Sequence, residues 1–505
     1  MTAEWRSRYG FPFAAALTTF VIHALGNPHY GFFRDELYFI MCGRHPDWGY
    51  VDQPPIIPLL GAASQAFGIS LFALRLVPAI FAAGSVYVAC TLAQELGGAL
   101  FAQLIAAIAA CFAPVLLTFG TQLSPDGIGM WLWPLAALFV VRMTKGECPR
   151  LWLAVGALFG ICLESKYSVA YFIVALLIGL LATPQRRLMW SKWFAGGVAL
   201  ALIIALPNFW WQAAHGLPML ELLRNGQLGK NVILTPLEFI GQQLALMNPF
   251  LSIVWLAGLI WLLLKRAMRF LGIAYLALMI LMIASNAKAY YPADAYSILM
   301  SAGGVAFELC TSRALIARPV LAALLAAAGV FFVPFGMPVL PEPSYIAYSS
   351  AVLQALGTNQ NASKTENNQL GSLPQDWADM HGWPELAATV GRVYDSLPPS
   401  DRADAVAFAQ NYGEAAAIEF FAPRVPVISG HNQYWLWGPR GHDGNVVIDV
   451  GGDCGVKQHV FRSIVKAATF SAPYIMPYED HLPIMVCRGL KVPIATLWPS
   501  LKQYE

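Results

Sequence analysis

The sequence predicts a mainly α-helical, polytopic membrane protein with a small α/β domain toward its C-terminal end. Three observations lead there. Of 505 residues 57% are hydrophobic and only 12% charged, too little charge to cover a water-exposed surface of this size, so lipid must be part of the solvent. Apolar runs close to the ~20 residues needed to span a bilayer recur as far as residue 340. Beyond that point the chain turns polar and alternates between strand-like and amphipathic helix-like segments.

Spans fall near 11–27, 70–94, 98–118, 126–142, 150–163, 167–183, 194–212, 236–264, 270–285, 294–310 and 318–338, eleven in all. Glu164-Ser165-Lys166 breaks the 150–183 stretch, which is too long for one helix. The first run follows Arg6 and Arg8 and meets His23, Asn27 and Pro28 rather than a small-residue cleavage site, so it reads as a retained span. One set of alternate loops holds thirteen Lys and Arg residues, among them Arg142, Arg186, Arg187, Lys265 and Arg318; the other holds six, namely Arg34, Arg44, Lys166, Arg224, Lys230 and Lys288. The richer set belongs in the cytoplasm, which puts the N-terminus inside and the C-terminus outside.

The expected organisation is a membrane domain over 1–340, a linker over 341–378 whose 356–378 part is polar and turn-rich, and an extracytoplasmic α/β domain over 379–505. Segments 405–408 and 446–450 read as buried strands, 385–397 and 414–421 as amphipathic helices. Six of the 8 cysteines lie in or beside apolar segments and read as small buried hydrophobes. Cys454 and Cys487 stand alone in the polar part and are candidates for a disulfide if that part faces an oxidising compartment.

A net charge of +2 does not suggest a nucleic-acid partner. Phosphate-loop, dinucleotide-fingerprint and zinc-spacing motifs are missing from the sequence, so no nucleotide cofactor is indicated. The most informative stretch is the first outer loop, PHYGFFRDELYFIMCGRHPDWGYVDQPP, residues 28–55. Leu37, Ile40 and Met41 fit a short helix lying on lipid, ended by Gly43 and Pro46. Asp35, Glu36, Asp47 and Asp52 put four carboxylates within eighteen residues. Some would serve as helix N-terminal or solvated charges. The chemical reading is a general base, because a hydroxyl is a poor nucleophile until a carboxylate takes its proton.

Cations and phenols recur in the other outer loops: Lys166 in ESKY, Lys288 with Tyr290 and Tyr291 in NAKAYYP, and His215, Arg224 and Lys230 in the 213–235 loop. Such groups suit a departing phosphate, whose developing charge they would neutralise; snorkelling to lipid headgroups is the plainer role for the lysines. Asp126, in LSPDG, reads as a helix cap with Ser124. Asn208, Gln242, Gln243 and Asn248 read as interhelical hydrogen-bonding groups.

RDELYFI followed by DWGYVDQPP, then SPDG, LESKYSVAYF, PNFWWQAAHG and KAYYP, resembles the bacterial glycosyltransferase family 39 proteins. These belong to the GT-C membrane class of dolichyl-phosphate-mannose protein mannosyltransferase type, a grouping that also takes in the lipid A aminoarabinose transferase and the lipopolysaccharide-core galacturonosyltransferases. The resemblance covers roughly residues 10–340. It implies an inverting transfer from a polyprenyl-phosphate sugar to a hydroxyl of an envelope glycolipid, polysaccharide or protein, at the outer face of the bacterial inner membrane. Asp35 matches the aspartate assigned as base, and Asp52 the acid before the proline of the next juxtamembrane segment, with Glu36 beside them as a second acid. Lys166, Lys288, Tyr290 and Tyr291 match positions facing the donor phosphate. A divalent cation near Asp35 and Asp52 is compatible with this pattern. Two residues depart from the aminoarabinose transferase, Gln53 for a lysine and Tyr38 for an arginine, so donor identity does not carry over. A transporter or flippase of lipid-linked sugars is the rival class, and it would place ionisable groups at the bilayer midplane in repeated halves; here the acids cluster in one outer loop and no repeat is visible.

Overall fold

The computed structural model describes residues 9–226, 234–357, 371–455 and 460–505. Lys230, Arg6, Arg8 and most of the polar 356–378 segment lie outside the described residues. The chain divides into two compact units, the first made of Met1–His29, Phe72–Trp210 and Val232–Val339, the second of Tyr30–Leu71, Trp211–Asn231 and Leu340–Glu505.

The first unit is helical. Among the described residues four helices have the length and composition to cross a membrane, Leu71–Glu95, Pro125–Thr144, Lys192–Ala214 and Ala317–Phe335. Helices Leu100–Phe112 and Pro114–Thr121 form a fifth candidate, bent by 64° where Pro114 cannot donate to the helical ladder. Phe11–Gly26, Leu151–Leu163, Val169–Leu181, Ser252–Leu264 and Arg269–Ala284 are shorter apolar helices. The 236–264 segment, expected as one span, is two helices, Pro236–Leu246 and Ser252–Leu264. Asn248 breaks it: its φ is +68°, and its Oδ1 accepts from the N–H of Phe250, a side-chain substitute for the helical bond.

Small residues bring these helices together, as expected where lipid removes the hydrophobic drive between helices. A Cβ on Gly258 would lie 1.9 Å from the Leu299 carbonyl oxygen, and one on Gly303 would lie 2.0 Å from that of Val254. The helices Ser252–Leu264 and Tyr296–Cys310 therefore meet backbone to backbone. Asn208 and Gln243 act as the sequence suggests: Tyr167 donates to Asn208, and Gln243 donates to the Ala289 carbonyl at 2.8 Å.

The second unit carries a five-stranded sheet of β1 (Ala405–Ala409), β2 (Val427–Ser429), β3 (Val446–Val450), β4 (Phe461–Phe470) and β5 (Leu482–Leu490), in the order β2-β1-β3-β5-β4. β1 is parallel to both β2 and β3, and β5 runs antiparallel to β3 and β4. Helix Tyr412–Phe421 supplies the β1–β2 crossover that parallel strands require. Val406, Ile428, Val447, Ile494 and Trp498 form one apolar core with Cys454 and Cys487. Those two cysteines are disulfide-paired with Cα atoms 6.4 Å apart, within the usual range for such a bond.

Two helices from the Tyr30–Leu71 stretch belong to this unit. Arg34–Arg44 begins where extended Phe33 gives its N–H to Glu36 Oε2 at 2.9 Å, the return half of a capping box. It ends at His45, before Pro46. Ile56–Ser64 packs against it through Gly43, where a Cβ would lie 1.9 Å from the Pro58 carbonyl oxygen.

Candidate active site

The carboxyl ends of parallel strands are where open α/β sheets usually bind ligands. In the second unit β1 runs out into Gln410, Asn411 and Tyr412, and β2 into Gly430, His431 and Asn432. From these two ends a side chain reaches each of the two aspartates singled out above. The Tyr412 hydroxyl donates to Asp35 Oδ1 at 2.8 Å. The Asn432 amide donates to Asp52 Oδ2 at 3.4 Å.

Asp35 stands in the first turn of Arg34–Arg44, at the positive end of the helix dipole. Its Oδ1 also accepts from Arg34 Nε at 3.2 Å, and the side chain keeps 32% of its surface exposed. Oδ2 has no bond to any described residue, leaving one oxygen anchored and the other available. Arg34 is itself fixed. Its N–H donates to the Asp379 carbonyl at 3.0 Å, its Nη1 lies 3.5 Å from Asp379 Oδ2, and Nη1 also donates to the Tyr478 hydroxyl at 3.2 Å. A Cβ on Gly413 would stand 2.4 Å from Arg34 Cγ, so the glycine after Tyr412 makes room for the methylene stem of the arginine.

Glu36, the neighbouring acid, is fully buried and tied to the helix start. Asp52 is half-buried, and its Oδ1 accepts from the Tyr38 hydroxyl at 2.9 Å. Burial pushes the Asp52 carboxyl up to about 7, against the pull of that hydrogen bond. The Tyr38 hydroxyl also accepts from the Gln433 N–H at 3.2 Å. The phenol therefore links the first loop to the end of β2. Asp47 is exposed and bonds only locally, to the N–H of Trp48 at 2.7 Å.

Behind Arg34 lies a buried acidic group that sequence reading missed. Burial raises Asp379 to about 7, opposed by Arg34. Glu414 and Glu479 are each raised, by burial first; mutual repulsion adds to it for Glu414, while Asn411 pulls Glu479 the other way. Asn411 joins them, donating to Glu479 Oε1 at 2.9 Å and accepting from the Glu414 N–H at 2.9 Å.

In the first unit Lys166 donates to Asp126 Oδ1 at 2.5 Å and lies 4.2 Å from the ring centroid of Tyr291 and 5.1 Å from that of Tyr290. Three of the expected phosphate-facing residues thus form one cluster. Asp126 is not the helix cap expected: Ser124 makes no capping bond, and the carboxylate is the lysine's counter-ion. Buried Asp294 lies within electrostatic reach of Lys166, held in a space that Gly129 leaves open, where a Cβ would lie 2.1 Å from Asp294 Oδ2. Lys288 is exposed and makes no side-chain bond among the described residues. Arg224 belongs to the second unit, exposed on the short helix Pro218–Asn225. His215 stacks on Trp211 at 4.1 Å and bonds its carbonyl.

No group of three or more His, Cys, Asp or Glu side chains placed to hold a metal occurs among the described residues. Asp35 and Asp52 would offer carboxylate oxygens to a divalent cation, with the remaining ligands left to water or phosphate.

The fold is that of the GT-C class of membrane glycosyltransferases. Residues 52–211 match the family model described as dolichyl-phosphate-mannose-protein mannosyltransferase. Over 240 residues the chain is 25% identical to the lipid A galacturonosyltransferase RgtD of Rhizobium johnstonii (strain DSM 114642 / LMG 32736 / 3841), covering 44% of this chain and 48% of that protein. The chain thus spans about half the length of the curated relative it matches. Among solved structures, ArnT from Cupriavidus metallidurans bound to undecaprenyl phosphate superposes with a TM-score of 0.60 at 15% identity, covering 94% of this chain and 97% of that one. The mycobacterial arabinofuranosyltransferase AftD superposes with a TM-score of 0.51 at 12% identity, covering 95% of this chain and 40% of that one. These findings support the glycosyltransferase resemblance carried by the sequence motifs.

Proposed function

We propose that this chain is an inverting glycosyltransferase that moves a sugar from a polyprenyl-phosphate donor to a hydroxyl of a cell-envelope acceptor (glycolipid, polysaccharide or protein). It would cross the bacterial inner membrane about eleven times and work on the extracytoplasmic face. The Lys/Arg distribution and the pairing of Cys454 with Cys487 both favour an oxidising outer location for the second unit.

Asp35 is the general base. The acceptor oxygen attacks the anomeric carbon on the side opposite the phosphate, and its proton passes to Asp35 Oδ2. The new C–O bond forms as the bond from the anomeric carbon to the phosphate oxygen breaks, leaving polyprenyl phosphate. Lys166, Lys288, Tyr290, Tyr291 and Arg224 meet the charge that grows on the phosphate. Asp52 shapes the acidic side of the site, while Glu36, expected as a second acid, is buried and tied to the start of the helix that carries Asp35; a divalent cation held by Asp35 and Asp52 would add further electrostatic stabilisation of phosphate.

The observation that carries this reading is the asymmetry of the acidic pair: Asp35 has an anchored oxygen and an unengaged one at a partly exposed position, whereas Glu36 is sealed. Asp35→Asn is expected to lower transfer by at least ~10²-fold, the low end for removing a general base. The assay follows radiolabel from a lipid extract of metabolically labelled cells into washed membranes of the source organism lacking the protein. Transfer at the wild-type rate by a folded Asp35→Asn protein would remove Asp35 from the mechanism. Label that crosses the bilayer without becoming covalently attached would point to transport instead.

A further inference from the structure

We infer that Tyr412 is a positioning residue for Asp35, so that the sheet-bearing C-terminal segment takes part in the chemistry of the first-loop acid; this rests on the proposed role of Asp35 as base. Two donors hold Asp35 Oδ1, Arg34 Nε at 3.2 Å and the Tyr412 hydroxyl at 2.8 Å. Arg34 lies next to Asp35 in the chain, while Tyr412 is 377 residues away. Fixing Oδ1 from two directions fixes the carboxylate plane, and with it the direction in which Oδ2 faces. A base whose free oxygen swings by an ångström spends much of its time out of proton-transfer geometry.

The phenol is suited to this task because its own position is over-determined. Asn411 caps the helix that Tyr412 opens, its side chain accepting from the Glu414 N–H. The Tyr412 ring lies 4.6 Å from that of Tyr38 and 4.9 Å from that of His431, centroid to centroid, and the Arg34 guanidinium lies 5.4 Å from its centroid. The residue is buried, with 7% of its surface exposed. Ring packing alone would be served equally by phenylalanine, so the hydroxyl needs a reason of its own, and its partner is the carboxylate.

Tyr412→Phe removes that hydroxyl and keeps the ring. The test measures initial transfer rates over a dilution series of the radiolabelled lipid extract, using washed acceptor membranes and purified full-length wild type, Tyr412→Phe and Asp35→Asn, each with its melting temperature in detergent. The expected result for Tyr412→Phe is a maximal rate lowered at least about tenfold, the weight of a hydrogen bond to a charged group, with half-saturation and melting temperature unchanged. If Asp35→Asn is inactive while Tyr412→Phe matches wild type, the inference falls and Asp35 stands as base. A Tyr412→Phe loss confined to half-saturation, or accompanied by a lower melting temperature, makes the tyrosine merely structural and also overturns it. Full activity in Asp35→Asn takes down the base and the inference together.

Discussion

Lys166 and Asp126 form an ion pair at 2.5 Å, with side chains only 21% and 9% exposed. The lysine's ammonium is further covered by the Tyr290 and Tyr291 rings, an arrangement that holds it in one place while leaving it charged. It is thus a fixed cation at the break between helices Leu151–Leu163 and Val169–Leu181.

This pairing makes a prediction about stability separable from catalysis. Lys166→Met leaves the nearly buried Asp126 carboxylate uncompensated, at a cost of up to about 3 kcal/mol, the low end for breaking a buried pair. Lys166→Met/Asp126→Asn removes both charges and is expected to recover most of the lost melting temperature in detergent while staying as poor a transferase as the single variant. Equal melting temperatures for the single and double variants would show that the pair carries no stability.

Asp52 makes a prediction about pH. Its folded carboxyl titrates near 7 against an ordinary value of 3.8. Between those values the unfolded chain has released its proton and the folded chain has not. The unfolded state therefore binds fewer protons and stability falls as pH rises, levelling off above about 7. Asp52→Asn cannot ionise, so its melting temperature should gain on that of wild type from pH 5 to pH 8. A difference that stays flat or reverses across that range would contradict the burial seen here.

The disulfide gives the third. Cys454 and Cys487 close a loop with a sequence separation of 33, for which chain entropy predicts about 4 kcal/mol of stabilisation. Cys454→Ser/Cys487→Ser should melt lower than wild type, and reductant should lower wild type toward the variant without affecting the variant. A melting curve of wild type that ignores reductant would mean the bond is not formed in the purified protein.

Local signals in the sequence carried part of this architecture. The strand patterns at 405–408 and 446–450 correspond to β1 and β3, and the helix expected at 414–421 is present as Tyr412–Phe421. The density of acids in the first loop pointed to Asp35 and Asp52, and the helix-breaking ESK pointed to Lys166. What escaped depends on residues far apart in the chain. Tyr412, Asn432 and Gln433 meet the first loop from 377, 380 and 395 residues away, and no periodicity encodes such a meeting. Asp126 looked like a cap because its place in the first helical turn is also where caps act; only its three-dimensional neighbour distinguishes counter-ion from cap. The break at Asn248 did have a local signal, Asn-Pro inside an apolar run, outweighed by the hydrophobicity on both sides.

The second unit is assembled from three separated stretches of chain, and this bears on how the protein is made. Asp35 leaves the ribosome 377 residues ahead of Tyr412, an interval of roughly 20–75 seconds at ordinary elongation rates of 5–20 residues per second. During that time the acid is already present without the phenol that will brace it. A copy whose synthesis stops before residue 412 would carry Asp35 without the hydrogen bond from the Tyr412 hydroxyl.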